Sequence, residues 1–489
     1  MKEKNNSADI ILIYPPLSVN ERYGRNVGNV GGQQPPLGIA CLAAYLRERG
    51  IQPLLIDALA ENMTTQDILE MIAKYKPRVV GLSALTVNFN RAIICAEAIK
   101  KSFPGLLTII GGHHATIMPR ETLEENPCFD MLCIGEGEVT LFDILEKYNG
   151  YEYKDFLKDY KVLNSIKGIG CRNNEKVVLT EPRELIANLD ILPFPARDLF
   201  NMEKYRPLPD QYKRLPLVHL TAIRGCPFSC SFCSNNAVYG TKIRAKSPQR
   251  LLEEIKHLIK EYGAKDLSFW DDTLTANKNW IREFCSLMIK EKLDITWTCY
   301  AAVRTLDKEL LVLMKKAGCW NIFSGFESGE QKLLDLLNKG ITLDQIRQAN
   351  RWCKEVGIEV RASFMIALPQ ETPQICRKTI NFAKELNPDY ALFCITTPYP
   401  KTKLFEYARK YGSLDLDFSK YSCWEPVFVP FGYKNKEEIL AMERKAVREF
   451  YLRPRYIMQR LRKIKTFEDF RRTLKGLRIV IGFMFGGKT

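Results

Sequence analysis

Much of what this 489-residue chain does not contain is informative. No apolar run approaches the roughly 20 residues that a bilayer-spanning helix needs, so no membrane-embedded body is expected. The opening residues Met1–Asn6 are polar and lead straight into an apolar stretch, so no secretory signal is expected. Internal repeats and low-complexity tracts are absent, which excludes solenoid arrays and long disordered tails. The loop Gly24–Gly32 is rich in Gly and Asn, but it has no GxGxxG followed by a ribose-binding acid, so it does not read as a dinucleotide site. Fifteen cysteines without a secretory signal point to a reducing, cytoplasmic setting rather than a disulfide scaffold.

What is present is organised around Arg224–Cys233, where Cys226, Cys230 and Cys233 stand at CxxxCxxC spacing. Thiolates are good ligands for iron–sulfur clusters. Three of them can hold three irons of a 4Fe–4S cluster and leave the fourth open to a ligand. A structural zinc site would want a fourth Cys or His nearby, and none follows at suitable spacing. The run Leu217–Ile223 before the motif reads as a buried strand, and Ser247-Pro248 after it reads as a helix cap followed by an N1 proline. The cysteines therefore leave the carboxyl end of a strand, where α/β enzymes put their chemistry.

This loop resembles the signature of the radical S-adenosylmethionine (SAM) superfamily, with Phe232 as the aromatic before the last cysteine. The resemblance implies that Cys226, Cys230 and Cys233 are the metal ligands and the catalytic core. It implies that SAM chelates the open iron and is cleaved reductively to a 5′-deoxyadenosyl radical. Six strand–helix units from Leu217 onward suggest a partial (β/α)6 TIM-like barrel, with strands at Leu217–Ile223, Asp266–Trp270, Thr296–Tyr300, Asn321–Gly325, Glu359–Ile366 and Tyr390–Ile395. By the same resemblance Glu327 and Ser328 lie near the ribose and methionyl part of SAM. Ile366 and Ala367 pack on its adenine with the backbone at Phe232, and Arg361 partners its carboxylate. The alternative is that the strand-end acids only cap helices. Cys285, Cys299, Cys319, Cys353, Cys376 and Cys394 are scattered singly and read as core packing.

Upstream, strands at Asp9–Tyr14, Gln52–Ile56, Val79–Leu82 and Leu107–Ile110 alternate with helices, giving a doubly wound, Rossmann-like parallel sheet covered on both faces. Ser83-x-Leu85 after the third strand and Gly111-Gly112 after the fourth resemble the cobalamin (vitamin B12)-binding domain, as does Gly135–Glu138. In that family small residues there admit the nucleotide tail of cobalamin. The family's DxHxxG after the second strand is altered: Asp57 is followed by Leu59 where the cobalt-binding His would stand. The resemblance therefore implies cobalamin held without a histidine from that loop. His113 and His114 either contact the corrin or its tail, or cap a helix.

The expected division is 1–150 cobalamin-binding domain, 151–205 linker with a hairpin around Asn173-Asn174, 206–430 radical SAM barrel and 431–489 basic helical tail. The tail interleaves many Lys and Arg with Ile479, Val480, Phe483 and Phe485. Such helices suit the inner, anionic face of a membrane, or else pack on the barrel as a solvated basic layer. No nucleic-acid reader fold is evident, so nucleic acid is not an expected partner.

The whole chain resembles the group that contains the anaerobic magnesium-protoporphyrin monomethyl ester cyclase and hopanoid-associated radical SAM proteins. That implies a small-molecule, lipid or porphyrin-like substrate, methylated or oxidatively cyclised at an unactivated carbon. It also implies a one-electron donor of flavodoxin or ferredoxin type. Two rivals are a methylthiotransferase acting on transfer RNA or protein, and a non-catalytic cobalamin-binding regulator. The first would want three N-terminal cysteines for a second cluster and a C-terminal β-barrel. The second is at odds with three intact cysteines.

Overall fold

Continuous apolar runs become strands buried on both sides, and the capped amphipathic stretches between them become the covering helices. The structure is a computed structural model that describes residues 7–17, 21, 32–174 and 176–485. Most of the Gly24–Gly32 loop, residues 24–31, lies outside the described residues. The chain forms two compact units, the first built mainly from Gln33–Arg206 and the second mainly from Pro207–Asn236 and Gly240 onward.

In the first unit, β1 (Ile10–Tyr14), β2 (Pro53–Asp57), β3 (Val79–Ser83), β4 (Leu107–Gly111) and β5 (Met131–Cys133) pair in parallel in the order β2-β1-β3-β4-β5. Every residue of β1 is buried. Helices α1 (Leu37–Arg47), α2 (Thr65–Tyr75), α3 (Phe89–Ser102) and α4 (Gly137–Tyr148) cover the faces. Helix α2 starts with a reciprocal capping box between Thr64 and Asp67.

Two features differ from the sequence reading. The hairpin β6 (Ile169–Asn173) and β7 (Lys176–Leu179) is not a free link. β6 pairs antiparallel with β5 and extends the sheet to seven strands, so the sheet is mixed. The apolar side of this hairpin, Ile169 and Cys171, is fully buried. The Pro-rich stretch 189–196 is likewise packed: Leu189 and Leu192 lie against Tyr45, and the Ala196 N–H donates to the Ala40 carbonyl at 3.0 Å.

In the second unit, β8 (Leu217–Leu220), β9 (Asp266–Phe269), β10 (Thr296–Tyr300), β11 (Cys319–Glu327), β12 (Glu359–Ile366) and β13 (Tyr390–Ile395) form an all-parallel six-stranded sheet in sequence order. Between them run α5 (Pro248–Tyr262), α6 (Lys278–Glu291), α7 (Lys308–Lys316), α8 (Leu343–Val356) and α9 (Pro373–Leu386). Ser247 caps α5 by accepting from the Arg250 N–H at 3.1 Å, with Pro248 at the first helical position.

The C-terminal α10 (Lys436–Tyr451), α11 (Pro454–Arg462) and α12 (Phe467–Phe485) are helical as expected, but much of their charge is internal. Arg460 donates to the Tyr390 hydroxyl at 2.7 Å, Lys463 pairs with Glu359 at 2.9 Å and with Asp389, and buried Arg472 donates to the Tyr212 carbonyl at 2.6 Å. Val480 and Phe483 turn inward, Phe483 lying 5.2 Å from the Trp424 ring. No helix among the described residues is long and apolar enough to cross a membrane.

Candidate active site

The cysteine loop is held by backbone and side-chain contacts from elsewhere in the barrel. The Ser231 N–H donates to the Leu337 carbonyl at 2.8 Å and its hydroxyl to the Leu336 carbonyl at 3.1 Å. Asn338 donates to the Ser229 carbonyl at 2.8 Å, and the Leu404 N–H donates to the Ser231 carbonyl at 2.8 Å. At the loop's base, buried Asp271 accepts from the N–H groups of Ala222 (2.7 Å) and Ile223. Asp272 accepts from Asn235 at 2.6 Å, and Thr273 stands 4.0 Å from the Cys226 sulfur. The strand-end acids of β9 thus shape the loop. Gly225 has φ of +90°, and a Cβ there would collide with the Lys242 carbonyl, so only glycine turns the chain at this point.

Cys226 and Cys230 are half-buried and Cys233 is exposed, whereas Cys285, Cys299, Cys319, Cys353 and Cys376 are buried in the core. Cys233 is the one exposed cysteine among the described residues, and Cys226 and Cys230 share their half-buried state with Cys41, Cys394 and Cys423. No three His, Cys, Asp or Glu side chains among the described residues are gathered closely enough for a single ion. A cluster asks for something else, one thiolate on each of three irons, and three cysteines on one loop, none of them fully buried, suit that. Cys394 departs from its expected core role. It is half-buried near the end of β13, close to Cys423, whose sulfur lies 3.5 Å from the Tyr399 hydroxyl.

Beside the loop, Phe232 packs against the cluster of Leu333, Leu337, Leu368 and Leu404. Glu327 ends β11 with φ of +57° and is 5% exposed. Its carboxylate accepts from Lys339 at 2.7 Å and from the Ser363 hydroxyl at 3.3 Å. The Lys339 ammonium also lies 5.2 Å from the centre of the Phe232 ring. Burial acts to lower its pKa, but Glu327 and Cys230 outweigh that and hold it above the usual lysine value. The sequence reading missed Lys339. Its signal was a lone cation in Asn338-Lys339-Gly340, twelve residues after Glu327, with nothing in the local pattern to tie the two together. A Cβ on Gly325 would meet both Glu327 and Lys339, so the glycine leaves room for this pair.

At the end of β12, Ile366 and Ala367 are fully buried, and Ala367 has φ of +64°. Its N–H donates to Glu371 at 2.7 Å, and Tyr433 donates to the same carboxyl oxygen at 2.6 Å. Burial pushes the Glu371 carboxyl up to about 7.

Two expected SAM contacts are not brought to this place. Ser328 is buried with its hydroxyl 3.3 Å from Thr379 of α9 and accepting from the Glu330 N–H. Arg361 sits five residues before the end of β12, roughly 16 Å back along the strand. There it donates to Asn321 at 2.9 Å and pairs with Asp210 at 3.6 Å. Strand register, which sets which residues face one another across the sheet, puts Arg361 opposite Phe323 and Tyr390.

That register also builds a belt across the half-buried face of the sheet. Trp270 meets Tyr300 at 6.0 Å, Tyr300 meets Phe323 at 4.9 Å, and Arg361 lies 5.3 Å from the Phe323 ring. Leu392, Met365 and Ser363 lie nearer the strand ends on the same face and are half-buried.

In the first unit, the strand-end residues converge as expected. Ser83 is opposite Gly111 in the β3–β4 register. Gly112 has φ of +92°, and a Cβ there would lie 2.7 Å from the Ala84 carbonyl oxygen and 3.1 Å from the Ser83 hydroxyl. Leu85 beside it is 39% exposed, a large apolar side chain at the open end of the sheet. The two histidines part company. His114 is buried, stacks on Phe89 at 3.9 Å and lies 3.3 Å from the Thr86 hydroxyl, while His113 stays half-buried after Gly112. Asp57 caps the turn carrying Leu59 by accepting from the Ala60 N–H at 3.2 Å, and it accepts from the Tyr205 hydroxyl at 2.9 Å. Of the N-terminal cysteines, Cys95, Cys128, Cys133 and Cys171 are buried and Cys41 is half-buried, so they do not offer the three accessible thiols that a methylthiotransferase's second cluster would need.

The B12 binding domain model matches residues 25–145 and the radical SAM superfamily model matches residues 220–383. A protein named as an uncharacterized methyltransferase of Pyrococcus horikoshii is 36% identical over 469 residues, covering 96% of this chain and 97% of its own. The anaerobic magnesium-protoporphyrin IX monomethyl ester cyclase of Rubrivivax gelatinosus is 29% identical over 452 residues, covering 92% of this chain and 79% of its own. Among solved structures, the radical SAM methyltransferase TsrM of Kitasatospora setae has the same fold, with a TM-score of 0.69 over 98% of both chains at 15% identity. An open six-stranded barrel with an accessible three-cysteine loop, a strand-end glycine cradle in a separate α/β unit and a full-length relative converge on one assignment: the chain belongs to the radical SAM enzymes that carry an N-terminal B12-binding domain.

Proposed function

We propose that the chain is a cobalamin-dependent radical SAM methyltransferase acting on an unactivated carbon of a bulky organic small molecule. The observation that carries this is the cysteine loop, pinned to Leu336–Asn338 with Phe232 beside the Lys339–Glu327 pair. Cys226, Cys230 and Cys233 hold a 4Fe–4S cluster. When bound, the cluster supplies an electron that splits SAM, and cobalamin supplies the methyl group.

The chain's own residues bind and orient. Lys339 offers an ammonium beside the cysteines, suited to a carboxylate, and Glu327 offers an oxygen suited to hydroxyls or an amine. Glu371 and Tyr433 hold Ala367 in its left-handed turn, which presents backbone at the end of β12 to the adenine. In the first unit Ser83, Leu85, Gly111, Gly112 and His113 line the entry for cobalamin. The glycines leave space, and with Leu59 in place of the family's histidine this loop would offer the cobalt no nitrogen.

The aromatic belt supports a bulky apolar or planar substrate of lipid or porphyrin kind, since such rings offer large rigid contact area. A flavodoxin- or ferredoxin-type protein delivers the electron. The enzyme works in the cytoplasm, peripherally at the inner face of the membrane. Oxidative cyclisation is the second reading, favoured by the relative named as a cyclase. The test is anaerobic reconstitution scored for iron, cobalt and 5′-deoxyadenosine, with methylated or cyclised product identified by mass. A chain that takes up four irons and cobalamin yet never cleaves SAM would overturn the enzymatic reading.

A further inference from the structure

The C-terminal helices have two faces of opposite character. The inner face of α11 is tied to the barrel through Tyr456, Gln459 and Arg460. Its outer face carries Ile457, Met458 and Leu461, which are 44%, 51% and 54% exposed. Helix α12 repeats the pattern over five turns. Arg472 and Met484 are buried, whereas Phe467, Phe470, Leu474, Leu477 and Ile481 are 43% to 74% exposed. Their spacing of 3, 4, 3 and 4 residues makes one continuous stripe along the helix. This is not the set the sequence suggested, since Val480 and Phe483 face the core.

Exposed cations border this stripe: Arg471, Lys475 and Arg478 on α12, with Arg455, Arg462 and Lys465 on and after α11. From Leu452 to Phe485 the only acids are Glu468 and Asp469. Asp469 accepts from Thr466 and pairs with Arg472, and Glu468 lies 3.5 Å from the Tyr212 hydroxyl. The field over the stripe is therefore of one sign.

We infer that this stripe is a lipid-contact surface, which docks α11 and α12 flat on an anionic bilayer with the apolar side chains entering the headgroup boundary. This deepens the proposed peripheral placement by naming the surface, and it rests on that placement. A single-signed border is what chooses the occupant. A second copy of the chain would set these cations against their like, which is unfavourable, whereas anionic headgroups complement them. Salt should weaken the contact, because the cations act through screened charge.

The full reconstituted chain is tested by co-sedimentation with vesicles of phosphatidylglycerol and phosphatidylcholine, and of phosphatidylcholine alone. Binding is expected only to the anionic vesicles and should fall at high salt. Phe470→Ser/Leu474→Ser/Leu477→Ser should weaken it at least tenfold, and Arg471→Glu/Lys475→Glu/Arg478→Glu should abolish it. Both variants should keep wild-type iron content and SAM cleavage. The single change Leu477→Ser, expected to give a smaller loss, guards against misfolding of the triple variants. If the wild type binds and all three variants bind equally well, the surface assignment fails while peripheral placement stands. If the wild type binds neither vesicle, peripheral placement and this inference both fail. Loss of a dimer in the serine variant, with no vesicle binding by the wild type, would give the stripe to a second copy instead.

Discussion

The two sheets bury their parallel strands in different ways. In the first unit β1 is buried at every residue, and β3 and β4 are buried at all but their last. Helices on both faces leave that sheet no open side, so a ligand can enter only at the strand ends. In the barrel, β13 alternates half-buried and buried residues throughout, and β12 does so towards its end. One face meets the helices and the other is left to enclose space. The same strand–helix grammar thus leaves only strand ends open in one unit and a half-buried sheet face as well in the other. The difference lies in which residues occupy every second position of the strands.

Four experiments would break or sharpen that contrast. The largest effect is expected at the cysteine loop. Cys226→Ala, Cys230→Ala and Cys233→Ala should each abolish 5′-deoxyadenosine formation, while buried Cys353→Ala should not. Wild-type cleavage in any loop variant would remove the assignment. At the strand ends of the first unit, Gly112→Val should cut cobalamin affinity at least a hundredfold, since its Cβ would press on the Ala84 backbone. The iron content of the barrel should be unchanged. Cobalamin bound at wild-type affinity would show that the cradle is not at Gly112.

Within the barrel, Arg361→Met should destabilise by about 3 kcal/mol, because it leaves Asn321 and Asp210 without their buried cation. Its affinity for SAM, read by equilibrium dialysis, should not change. A selective loss of SAM affinity at unchanged stability would restore Arg361 as a SAM contact.

The smallest effect contrasts the units by pH. Burial pushes Asp271 and Glu371 of the barrel and Glu443 of α10, all in the second unit, up to about 7. Carboxyls raised in this way give stability that is complete below their unfolded values near 4 and is lost as pH climbs through 7. His114 of the first unit runs the other way. Burial, opposed by Glu121, pushes it down to about 4. Its contribution is complete above 6.5 and is lost as pH falls through 4. Calorimetry across pH 4 to 8 should therefore show opposite trends, flattened by Glu371→Gln in the barrel and by His114→Phe in the first unit. Parallel trends in both units would contradict the assignment.

Alternation of apolar and helical stretches sufficed to place most strands within a residue or two, because apolar runs and the caps between them act locally. Thr296–Tyr300, Glu359–Ile366 and Tyr390–Ile395 match the structure residue for residue. The short β5 was missed, since three apolar residues carry no period. The cysteine motif was legible as a motif because its residues are adjacent in the chain, and the meeting of Ser83 with Gly111 and Gly112 because they stand at the ends of neighbouring strands.

What the sequence by itself determined is the cofactor chemistry of two local motifs and the order of the elements around them. Only the tertiary structure decided which distant residues join them. Lys339 reaches Glu327 and the cysteines because α8 is preceded by a turn that folds back over the loop. Arg361 leaves the expected site because parallel register, not nearness in sequence, sets its neighbours. The hairpin at 169–179 joins the sheet because β5 offers an unpaired edge. In the tail, the same basic and apolar residues are divided between core and surface by helix rotation, a quantity fixed by packing against the barrel and not by composition.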